Sequence, residues 1–206
     1  MVWAGYNGGE IASKLTVDAV KSYFENNFMQ IEHTKEAILK LMSDAIEYAN
    51  MVVYEKSKTA DELQGMGTTL DICFIYNNKL YIGHVGDSRV YRLRKGVMRK
   101  LTKDHSYVQQ LVEDGKITRA EADHHPKKNM LTRALGCTAY VEPDVRARNL
   151  EKGDILLMCS DGLTNMVSDE QICQSMKESP TTAPEKLIEL ANQAGGYDNI
   201  TVITIL

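Results

Sequence analysis

Three short segments place an aspartate directly after a strand-like run and beside glycine or another tight-turn residue. They are Gly86-Asp87-Ser88-Arg89, Ser160-Asp161-Gly162 and Gly196-Tyr197-Asp198-Asn199. Carboxylates at strand ends, with no His or Cys cluster beside them, suit hard, oxygen-seeking cations such as Mg2+ or Mn2+ better than zinc. Taken singly, Asp and Gly are also the ordinary residues of turns. The chemistry therefore requires the three segments to act together.

Other reactive side chains carry less. His84 falls inside a strand pattern and reads as a packed or hydrogen-bonded residue rather than a ligand. His105, His124 and His125 fall in a polar stretch and receive no role, although a proton donor to a leaving group is conceivable there. Cys73, Cys137, Cys159 and Cys173 are scattered without a C-x-x-C pair, so neither a zinc knuckle nor a redox motif is indicated and the thiols read as reduced bystanders. The methionines, among them Met42, Met51, Met66 and Met158, read as core fillers.

The elements that must position the aspartates follow from periodicity. Ile11, Ala12, Leu15, Ala19, Val20 and Tyr23 recur at three- and four-residue intervals and predict a helix over 10–24. A second helix starts after Thr34, a good N-cap, with Ile38, Leu41, Met42, Ala45, Ile46, Ala49 and Val52 as its buried stripe. From Thr68 the period becomes that of strands, over 68–76, 80–85, 89–94 and 97–101, with Asn77-Asn78 and Lys95-Gly96 as turns, which together predict an antiparallel meander. A polar excursion over 104–136 holds a short helix after Ser106 and a capping box from Thr118 to Glu121. Strands at 140–146 and 154–159, helices near 168–176 and 184–193, and a strand at 199–205 complete the chain.

Strands in blocks with helices inserted predict an α+β fold, an antiparallel β-sandwich flanked by helices, in one domain spanning 1–206. A length of 206 residues suits a single core. The hydrophobic fraction of 43% and charged fraction of 25% place the chain among ordinary globular proteins. A net charge of -4 argues against nucleic-acid or acidic-membrane partners. The local run Arg92, Arg94, Lys95, Arg99, Lys100 and Lys103 reads as a solvated hairpin edge. With no leader and no long apolar run, a cytoplasmic protein is expected.

Preceded by Gly65-Met66-Gly67-Thr68-Thr69, and joined by Gly83-His84-Val85-Gly86-Asp87-Ser88-Arg89, Leu101-Thr102-Lys103-Asp104-His105-Ser106 and Leu131-Thr132-Arg133-Ala134-Leu135-Gly136, the aspartate segments form an ordered set. That set resembles the type 2C (PPM) metal-dependent protein serine/threonine phosphatases, bacterial subtype, from about Gly5 to the C-terminus. The resemblance implies two core Mn2+ or Mg2+ ions at one end of the sandwich, with Asp161 and Asp198 on the second of them. It further implies a third, weaker ion between Asp87 and Asp161, support from Asn199 and Gly162, and a flap over 104–136. A water activated by the paired dications would attack phosphorus in line, without a phosphoenzyme. Phosphorylated proteins would be the substrates, and a bacterial Ser/Thr kinase the opposing enzyme.

One departure stands out. Aligning Gly9-Glu10 on the family's Gly-Glu puts Met1 where the family has an aspartate bridging both metals, and a thioether is a poor ligand for hard cations. The family's first strands and its phosphate-binding arginine have no counterpart, so an open sheet edge or exposed apolar sheet surface is expected, and the chain as given is expected to be impaired. The alternatives are a catalytically dead phosphatase-like module that binds phosphoproteins or a regulatory partner, and a hydrolase of another phosphoester.

Overall fold

The computed structural model describes residues 8–206, so Met1 and the segment 1–7 lie outside the described residues. The described residues form two compact units, 8–86 with 104–149 and 87–103 with 150–206.

The first unit opens with α1 (Gly9–Asn27) and α2 (Lys35–Ser57), the latter capped as expected by the Thr34 side chain, which accepts the Ala37 N–H. A three-stranded antiparallel sheet follows in the order β1 (Leu70–Tyr76), β2 (Lys79–Val85), β5 (Asp144–Asn149). Asn77 and Asn78 both take positive φ in the two-residue turn between β1 and β2, as that hairpin's twist demands. The buried face of α2 packs Ile38, Met42 and Ile46 against β1 and β2. Gly83 permits this approach, because a Cβ there would stand 2.8 Å from the Ile46 Cδ1. Each such buried aliphatic side chain contributes about 2 kcal/mol through removal from water.

In the same unit, α3 (Tyr107–Glu113) is capped by Ser106, and α4 (Arg119–Asp123) carries the Thr118–Glu121 capping box. The ends of the 104–136 segment are paired to one another and to the chain before β1 through isolated bridges, Ser106 with Leu131 and Thr68 with Leu135.

The second unit is a four-stranded antiparallel sheet in the order β4 (Val97–Lys100), β3 (Arg89–Arg94), β6 (Ile155–Cys159), β7 (Val202–Ile205). Three helices belong to it: α5 (Asp161–Thr164), α6 (Asp169–Glu178) with a Ser168–Gln171 capping box, and α7 (Ala183–Gln193), begun by Pro184. Tyr91, Leu157, Leu163, Ile172, Met176 and Leu187 form its core.

The structure departs from expectation in several places. The predicted meander is divided: β2 pairs with β1 and β5, whereas β3 pairs with β4 and β6, so Gly86-Asp87-Ser88 carries the chain from one sheet to the other. The strand expected over 140–146 begins only at Asp144, because Pro143 has no N–H to give a ladder. Ile11 and Met51 are 42% and 49% exposed instead of buried, and Ala12, Thr16 and Ala19 form the buried face of α1. Arg94 is not simply solvated. Its Nε and Nη2 donate to the Asp154 carboxylate, both at 2.6 Å, and its Nη1 to Glu151. Ile75 on β1 and Ile203 on β7 are half exposed. No helix among the described residues is long and apolar enough to cross a membrane.

Candidate metal-binding site

Strand register carries the three predicted aspartates to one end of the four-stranded sheet. Arg89, the first residue of β3, pairs with Cys159, the last of β6, so Asp87 lies two residues before that pair and Asp161 two residues after it. Cys159 also pairs with Val202 at the start of β7, four residues beyond Asp198. Ser160 prolongs this pairing past the strands. Its N–H donates to the Thr201 carbonyl at 3.1 Å, its Oγ accepts the Thr201 N–H at 3.0 Å, and the same Oγ donates to the Asn199 carbonyl at 3.0 Å.

Asp161 and Asp198 feel one another directly. Burial, and then the Asp198 charge, push the Asp161 carboxyl above the usual carboxylate range. The N–H groups of Gly162 and Asp161 itself at the start of α5, together with Arg89, oppose that push in part. Asp198 lies exposed, and one of its oxygens accepts the Asn199 N–H at 2.7 Å. Gly162 is buried where the two loops meet: a Cβ on it would stand 2.3 Å from the Asn199 carbonyl oxygen.

This donor set fits a hard divalent cation. All its donors are oxygens, and a cation between Asp161 and Asp198 would relieve the repulsion that raises the first of them. Among the described residues, no group of three or more His, Cys, Asp or Glu side chains is drawn together to hold an ion. Asp87 thus shares the sheet end with the other two without closing a three-carboxylate cluster. The Ser88 Oγ beside it is buried and has no hydrogen-bond partner among the described residues.

The family description "Protein phosphatase 2C" matches residues 8–200. The chain belongs to the protein phosphatase 2C family. It is 36% identical over 203 residues to the serine/threonine phosphatase stp of Listeria innocua, covering 98% of this chain and 80% of that protein. The fold is that of the S. agalactiae serine/threonine phosphatase, with a TM-score of 0.89 and 37% identity over 99% of this chain and 84% of that one. The catalytic domain of the phosphatase PstP, in complex with two manganese ions, superposes with a TM-score of 0.84 and 35% identity over 98% of this chain and 83% of that chain.

Within this protein phosphatase 2C chain, the first unit holds a polar cluster that sequence reasoning assembled only in part. His84 is buried, as expected, and its Nδ1 meets Asp71 Oδ1 at 2.7 Å, while the other oxygen of Asp71 has no hydrogen-bond partner among the described residues. Register sets Asp71, His84 and Asp144 in a row across β1, β2 and β5. The His105 ring packs against that of His84, centroids 4.7 Å apart and planes tilted by 43°. Burial, His84 and Arg133 lower the His105 pKa to about 4, so the ring is neutral at physiological pH. Burial alone would push Asp144 up, yet His105, Arg146 and Arg133 hold it below the usual range. The signal available in the sequence was Asp71, a charged residue inside an otherwise apolar strand. His124 is exposed and His125 half-buried beside Tyr107.

Proposed function

We propose that this chain removes phosphate from phosphoserine and phosphothreonine residues of proteins, in the cytoplasm and opposite a bacterial Ser/Thr kinase, with Mn2+ or Mg2+ as cofactor. Asp161 and Asp198 hold one core cation, Asp87 and Asp161 a further, weaker one, and Gly162 and Asn199 shape the ground between them. The whole of 1–206 acts as one phosphatase domain, with 104–136 as its flap.

The observation that carries this reading is that strand register brings Asp87, Asp161 and Asp198 to one end of the four-stranded sheet, where the Asp161 and Asp198 loops are in contact. When bound, the cations supply a water of low pKa and neutralise phosphoryl oxygens. The protein's own part is to hold the carboxylates aimed. Gly162 lets the α5 start close on Asn199, and Ser160 ties the β6 and β7 ends together, so the two ligand loops are joined to one another.

The second reading is a phosphatase-like module that binds phosphoproteins without cleaving them. One experiment separates the two. The 206-residue chain is incubated with phosphoserine and phosphothreonine peptides in MnCl2 and released phosphate is measured. Release that disappears in Asp161→Asn supports the phosphatase. Retention of the peptides without release supports the binding module.

A further inference from the structure

His105 touches Gly86 twice. Its own N–H donates to the Gly86 carbonyl at 2.7 Å, and its Nδ1 accepts the Gly86 N–H at 3.1 Å. The second bond fixes the tautomer: Nδ1 is the acceptor, so in the neutral ring the proton sits on Nε2. Nε2 lies 3.5 Å from Asp144 Oδ1, and Asp144 is held in turn by Arg146 at 2.8 Å and Arg133 at 3.3 Å. On its other side the His105 ring rests on His84, which Asp71 holds. The imidazole is thus gripped on several sides, and its one bond to backbone N–H is spent on a single glycine.

That glycine is a forced kink. Gly86 has a φ of +116°, and a Cβ on it would fall 2.4 Å from Thr69 Cγ2 and 3.1 Å from the Thr69 Cα. The next residue along the chain is Asp87. A kink in a conformation open to glycine alone is held only by its surroundings, and here the surroundings are Thr69 and His105.

His105 is also part of the neck of the 104–136 segment. Its carbonyl accepts the Thr132 N–H at 2.8 Å, and the neighbouring Ser106 bridges to Leu131. We propose that His105 is a positioning residue for the phosphatase reaction, its paired hydrogen bonds to Gly86 setting the direction in which the chain delivers the Asp87 carboxylate to a cation. The inference rests on the reading of Asp87 as a cation ligand.

The test compares His105→Asn with His105→Gln, both polar and neutral. Asparagine Oδ1 can stand where Nδ1 stands and accept the Gly86 N–H, whereas glutamine projects its oxygen too far. Mn2+ binding to the 206-residue chain is followed by calorimetry, alongside hydrogen exchange of the Gly86 amide. Expected is near wild-type Mn2+ binding and a protected Gly86 amide in His105→Asn. In His105→Gln, the weaker Mn2+ affinity should fall by about tenfold, as for other residues that orient a ligand, with the amide exposed. Equal Mn2+ binding by the two variants would overturn the proposal. Asp87→Asn, run in parallel, keeps the outcomes apart. If it weakens Mn2+ binding and His105→Gln does not, His105 has no positioning role. If it leaves Mn2+ binding unchanged, the reading of Asp87 fails first and the proposal with it.

Discussion

Gly162 and Asn199 are in backbone contact, with room for no more than a hydrogen on the glycine: the carbonyl oxygen of Asn199 occupies the space a Cβ would need, at 2.3 Å. The obstacle is main chain, which no rotamer change can clear.

Gly162→Ala therefore forces the β6–α5 and α7–β7 loops apart. A loss of about 2 kcal/mol in unfolding free energy is expected, as for overpacking elsewhere. Urea titration measures it. A stability equal to wild type would show that the loops are not held against each other.

Asp161 has a built-in conflict between stability and ligation. Its carboxyl titrates above its unfolded value, so the folded state resists ionisation. The resulting penalty is absent at pH below the unfolded carboxylate value, grows as pH rises, and is fully felt above the folded value. Asp161→Asn removes it. The metal-free variant should melt about 2–4 °C above wild type at pH 7, with the gap closing as the solution is acidified. Lower melting of the variant at neutral pH would contradict this.

For His105 the sign is reversed in its consequence. A histidine lowered from 6.5 to about 4 takes up its proton in the unfolded chain first. Stability is therefore lost as pH falls from 6.5 towards 4, while the carboxylate of Asp144, held low, contributes its own loss only below the unfolded carboxylate value. In thermal melts across that interval, His105→Asn should show a shallower decline than wild type. Parallel curves would mean that burial, His84 and Arg133 do not act on this ring as described.

Asp198→Asn keeps an acceptor for the Asn199 N–H and so should fold normally. It removes one negative charge from the cation's surroundings. Mn2+ affinity should fall by at least about 100-fold, beyond what residues that merely orient a ligand cost. Phosphate release from phosphopeptides should fall with it. Unchanged binding would exclude Asp198 as a ligand.

Local chemistry explains which features were readable in the sequence. Thr34, Ser106, Thr118-Glu121 and Ser168 begin helices because a side-chain oxygen can satisfy a free N–H within three residues. Asn77-Asn78 and Lys95-Gly96 turn because asparagine and glycine tolerate positive φ, Lys95 taking it beside Gly96. Sheet membership was not readable. The three residues between β2 and β3 look like any hairpin turn, and what divides the strands between sheets is pairing with β5 and β6, some sixty residues away. The site divides in the same way. Asp87, Asp161 and Asp198 announce themselves by their glycine- and turn-rich surroundings. Asp71 and Asp144 matter through His84 and His105, partners that only cross-strand register and the fold bring to them.

The Ser106–Leu131 bridge has a further consequence. With its ends joined and its two helices carrying their own caps, the stretch between them is a self-contained cassette. Its interior, from Asp114 to Lys127, can be shortened, lengthened or exchanged without altering the β2 exit.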